Sequence, residues 1–168
     1  MILGMSLSTF TTVHVIISLI GIASGVVVLL GMLTDRRFNG LTELFLATTI
    51  LTSVTGFFFP TDHVMPSHIV GIISLVLLAG AVLALSVYRL GGFWRPIYIV
   101  CAVIALYLNV FVGVVQAFQK LPFLQPLAPT QSEPPFVVVQ LVLIAAFIAI
   151  GILAVLRFHP QVKSTTPA

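Results

Sequence analysis

The chain has 168 residues, of which 60% are hydrophobic and only 7% charged, against about 25% charged in an ordinary soluble domain. This composition, with a mean hydropathy of +1.24, excludes a water-soluble fold; the formal charge of +3 needs no nucleic acid to explain it, and the partner the chain asks for is the lipid bilayer. One cysteine, Cys101, excludes a disulfide framework and a dithiol redox centre.

Five apolar runs, at residues 13–32, 41–59, 68–88, 97–118 and 136–156, approach the roughly 20 residues a helix needs to cross the hydrocarbon core. They are apolar all round and lack the period-two alternation of a membrane β-strand. The expected fold is all-α: a compact bundle of five transmembrane helices forming one domain over residues 1–158, with a polar tail at 159–168. No Lys or Arg precedes the first run, and that run is longer than the 7 to 15 residues of a signal-peptide core. It therefore reads as a retained span, with cleavage near Ser24 as the competing reading.

Along the first run, His14 falls in the expected first turn, and Ser18, Gly21 and Gly25 make a stripe of small residues suited to close helix packing. Asn39 or Gly40 opens the second, with Glu43 in its first turn, where the helix dipole favours an anion. Its face carries Thr48, Thr52 and Thr55, flanked by Thr49, Ser53 and Gly56. This stripe reads as packing or as a pore lining, the former favoured because hydroxyls bond readily to their own helix carbonyls. Phe57 to Phe59 then anchor a helix end, Asp62 and His63 occupy the turn, Ser67 caps the third span, and His68 stands in its first turn.

Tyr88, Trp94 and Tyr98 read as interfacial anchors, and Pro96 suits the first turn of the fourth span. On that span Ala102, Ala105, Asn109, Gly113 and Gln116 share one face. Asn109, near mid-membrane, needs a partner for its amide: a threonine of the second span, the neighbourhood of Tyr107, or a ligand. The 119–135 connection is long, with four apolar side chains, Leu121, Phe123, Leu124 and Leu127. It is expected to lie in the interface or to fold over the bundle mouth, bringing Lys120 and Glu133 above the histidines. Pro134 and Pro135 open the last span.

Six basic residues, Arg36, Arg37, Arg89, Arg95, Arg157 and Lys163, fall on one side of a five-span chain, and Lys120 alone on the other. By the positive-inside rule the N-terminus is outside and the C-terminus cytoplasmic. The chain resembles in type the small multi-pass proteins of the bacterial inner membrane, a likeness that carries over no residue and no activity.

No Asp, Glu, Lys or Arg occupies the centre of a span, which weighs against ion-coupled carriers. No hydrolase, zinc-protease or phosphate-loop motif is present. What remains is a set of polar residues at the outer level. His14, Asp62, His63, His68 and Glu133 form the candidate metal set, because neutral imidazole and carboxylate suit a transition metal. His14, His68 and Asn109 form the candidate cofactor set, for a haem or quinone. The plainer reading of these histidines is capping and interfacial. The first expectation is accordingly a non-enzymatic accessory or interaction component, working with other membrane proteins or a second copy of itself. A module binding a metal, haem or quinone is the alternative, and a small-solute carrier or channel using Asn109 and Gln116 the third.

Overall fold

The computed structural model describes Ile2 and residues 4–60 and 66–159; Asp62, His63 and Lys163 lie outside the described residues. α1 (Leu7–Leu33) starts where the Ser6 hydroxyl accepts the Thr9 N–H at 3.1 Å. The apolar run begins six residues later, because Thr11 and Thr12 belong to the helix and return their hydroxyls to Leu7 and Ser8 carbonyls at 2.8 and 3.0 Å. His14 is therefore two turns inside the helix, not in its first turn. At the other end Asp35 takes a left-handed backbone (φ 53°), and the Arg36 N–H closes on Gly31 O at 2.8 Å, as in a Schellman cap.

α2 (Asn39–Gly56) has no acidic residue in its first turn; Glu43 lies just beyond it. α3 (Pro66–Val82) includes Ser67 as its second residue rather than as a cap, and a π-helical turn at Leu83–Val87 prolongs it. Arg89 and Leu90 then turn through positive φ (48° and 60°), which returns Leu90 to the core at 4% exposure. α4 (Trp94–Lys120) and α5 (Pro134–Arg157) follow, joined by a loop with one 3-10 turn at Gln125–Leu127. In that loop Phe123 is 70% exposed, Leu121 and Leu127 are exposed too, and Ala128 is buried.

The described chain is thus all-helical, and α1, α3 with its π-turn, α4 and α5 are long and apolar enough to cross a membrane. α2, at 18 residues, is about 27 Å long, slightly under the hydrocarbon thickness of about 30 Å. The helices alternate in direction, which gathers His14, Thr55 and His68 at one end of the bundle and Arg95, Phe158 and Asp35 at the other.

Small residues bring α1 against α2 and α4. A methyl group on Gly25 would lie 2.6 Å from Leu106 Cδ1 and 2.8 Å from the Phe45 ring. Phe45, Leu78, Ile99 and Leu106 are fully enclosed there. α5 is different: it buries only Ala154, touching α4 through Tyr107–Phe147 and Phe118–Phe136 ring contacts. Tyr98 is also a correction. Instead of anchoring an interface it is 2% exposed, its hydroxyl hydrogen-bonded with Thr42 and its ring against Phe158. Tyr88 remains exposed and stacks, with centroids 3.6 Å apart, on Trp94, which packs at the edge of the core.

Candidate functional site

At the histidine end, α1 to α4 surround a cavity of about 100 Å³. α1 contributes His14. The ring lies edge-on to Phe59, which itself packs on Phe10, and Nδ1 is 2.8 Å from Thr55 Oγ1. The Thr55 hydroxyl has one proton and gives it to Leu51 O at 2.7 Å, its shortest contact. Oγ1 therefore accepts the Nδ1–H, and Nε2 keeps its lone pair. α3 contributes His68, stacked on Phe57 at 5.6 Å. Phe57 can lie there because a methyl on Gly71 would come within 3.0 Å of its ring. Two of the three terminal phenylalanines thus position imidazoles, a role beyond anchoring.

Deeper in, Ser53 donates to Ser74 at 3.2 Å and Thr52 to the Thr48 carbonyl at 2.9 Å. The floor is Asn109 and Thr49. Ser18 donates to Asn109 Oδ1 at 2.9 Å, so the amide's partner is a serine of α1, not a threonine of α2. Asn109 Nδ2 and Thr49 Oγ1 are buried without a hydrogen-bond partner, in residues 8% and 1% exposed. A methyl on Gly21 would stand 3.1, 3.2 and 3.3 Å from Thr48 Oγ1, Thr49 Oγ1 and Asn109 Nδ2. Gly21 thus lets these three groups pack against α1 more closely than a methyl would allow.

The structure therefore brings His14, His68 and Asn109 to one cavity. Glu133 does not join them. Its carboxylate accepts from the Thr130 hydroxyl at 2.8 Å and from the Thr130 and Ser132 N–H groups, each at 3.1 Å. Desolvation pushes that carboxyl up, but these bonds, led by the Thr130 hydroxyl, outweigh it and hold its titration below the ordinary glutamate value. Gln116 and Lys120 are exposed at the end of α4. Among the described residues no three His, Cys, Asp or Glu side chains form a metal-binding group.

Ser18 and Thr49 were the residues hardest to single out from the sequence. His14, Ser18, Gly21 and Gly25 follow a four-three-four spacing, one continuous face of a helix, and that spacing was the signal linking the imidazole to the packing stripe. A larger groove of about 460 Å³ between α4 and α5 is lined by apolar residues and Tyr107 and offers no convergent polar groups. No protein-family model matches the chain, and neither the curated proteins nor the solved structures contain a significant match to it.

Proposed function

We propose that this chain is a multi-pass membrane protein that binds a small polar molecule in a cavity opening on the outer face. One observation carries the reading: His14, His68 and Asn109 line one cavity together with Thr49, Thr52, Ser53 and Ser74. A concave site lined by convergent polar side chains suits a small polar guest.

In this reading α2 is a fifth, short span whose threonine face is turned into the bundle. The end bearing Arg36, Arg37, Arg89, Arg95 and Arg157 faces the cytoplasm of a cell whose plasma or inner membrane holds the protein. The contact of Leu106 and Phe45 with Gly25 closes the bundle beyond the floor, which favours binding over conduction. The volume is well below the roughly 300–1,000 Å³ of sites for drug-sized ligands and leaves no room for a haem. An accessory role beside other membrane proteins or a second copy is compatible with such a site.

Thiol labelling tests both parts in a Cys101→Ala background. Ser67→Cys should react with a membrane-impermeant maleimide added outside, and Thr52→Cys with the small neutral reagent methyl methanethiosulfonate. Reaction of Ser67→Cys only from the cytoplasmic side would reverse the orientation. An inert Thr52→Cys beside a reactive Ser67→Cys would remove the cavity.

A further inference from the structure

We infer that α5 is a hinged helix: Phe158 latches the end that lies beside Arg95 to the other helices, and that end opens while the rest of the bundle stays folded. The uneven attachment of α5 points to this. The most apolar stretches of α1, α3 with its π-turn, and α4 are 22 to 39% buried, that of α5 not at all. Its polar contact at Gln140, from Nε2 to Phe111 O, is long at 3.5 Å, and Gln140 Oε1 is buried without a partner. In lipid no hydrophobic force presses such a helix onto its neighbours, so packing and hydrogen bonds must hold it.

The end beside Arg95 is built differently. Just past the helix, Phe158 is 2% exposed and belongs to the core cluster that holds Met32, Leu90 and Tyr98. Its carbonyl accepts from Arg95 Nη1 at 3.0 Å, and the next N–H is given to Asp35 Oδ1 at 2.7 Å. Two consecutive residues are thus clamped by the start of α4 and by the α1–α2 turn. The turns around them are strained: among the described residues four non-glycines take positive φ, and three of these, Asp35, Arg89 and Leu90, lie at this end. Such conformations persist only where the surroundings over-determine them, and they gather at switch regions. Asp35 holds His159 only from that strained geometry, so strain opposes the latch while the buried Phe158 keeps it shut. The pivot is the other end of α5, where Phe136 meets Phe118 edge-on with centroids 5.4 Å apart and prolines stiffen the first turn.

The test is hydrogen exchange of the full chain in lipid nanodiscs, which reads local opening residue by residue. Residues 155–158 report the latch; residues 136–142 of α5 and 74–81 of α3 are the references. Asp35→Ala removes one hydrogen bond, so amides 155–158 should exchange about fivefold faster. In Phe158→Ala they should exchange faster still, and both references should keep their parental rates. Should Phe158→Ala fail to fold, Phe158→Leu, which loses the ring but stays apolar, takes its place. Equal acceleration of 155–158 and 136–142 would mean that α5 leaves as a unit, and equal acceleration of 74–81 as well would mean that the bundle opens as one. Either result overturns the hinge, as does unchanged exchange of 155–158 in the Phe158 variant.

Discussion

At the arginine end of the bundle Arg95 donates to Phe158 O at 3.0 Å, Asp35 accepts the His159 N–H at 2.7 Å, and Tyr98 and Thr42 share a hydrogen bond. At the cavity end Asn109 and Thr49 are buried about as deeply as Tyr98 and Thr42, yet a donor on each is unused. The residue types are ordinary in both places, and what differs is satisfaction. Where polar groups close the bundle they are paired, tying α5 and the α1–α2 turn to the start of α4. Beside the cavity, Asn109 Nδ2 and Thr49 Oγ1 are buried unpaired. Burial alone would have classed the two regions together; counting donors and acceptors separates structure from site.

The largest expected effects test that separation by sign. Tyr98→Phe removes a satisfied partner and strands the Thr42 hydroxyl, 3% exposed, and should cost about 1–3 kcal/mol. Thr49→Val removes an unsatisfied hydroxyl of nearly the same shape and should stabilise the ligand-free protein by about 1 kcal/mol. Unfolding of both variants in an SDS titration measures the pair. Loss of stability in Thr49→Val would mean that this hydroxyl has a structural partner, and the contrast between the two ends would disappear.

Much of the fold was legible because lipid leaves few options: in hydrocarbon the backbone must satisfy itself, and apolar runs of span length become helices. Hydropathy located the runs but not their true ends. The serines and threonines ahead of residue 13 bond within the helix, so α1 begins at Leu7 and His14 moves from the rim into the wall. The site was legible as a level, since His14, His68 and Asn109 were each singled out. It was not legible as a constellation, because helix rotation decides that Ser18 grips Asn109 and that Thr49 faces Gly21. For the same reason Glu133 stays within its own turn, and Tyr98, expected at an interface, is the best-enclosed aromatic of α4.

A smaller effect sharpens the arginine end. Asp35 combines a left-handed backbone, which a non-glycine residue adopts at a cost of roughly 1–2 kcal/mol, with a hydrogen bond to His159 N–H. Asp35→Ala keeps the backbone strain and loses the bond, and should lower stability by about 1 kcal/mol. Asp35→Gly loses the bond but relieves the strain, so it should be close to neutral. If the two variants are equally destabilised in the same SDS titration, the backbone conformation is not what Asp35 contends with.

The least perturbing change lies at the histidine end of α5. The Glu133 carboxylate is held below the ordinary glutamate value by the hydrogen bonds it accepts from Thr130 and Ser132. A carboxyl whose folded titration lies below its unfolded one contributes stability above the unfolded value and loses it as pH falls through the folded one. Thr130 and Ser132 amide protection against hydrogen exchange, corrected for the intrinsic rate, should therefore decline only at acidic pH, below the usual glutamate range. Glu133→Gln should flatten that dependence while leaving the methyl methanethiosulfonate labelling of Thr52→Cys unchanged. A change in that labelling in Glu133→Gln would tie the 119–135 loop to the cavity after all, and the two regions would have to be treated as one site.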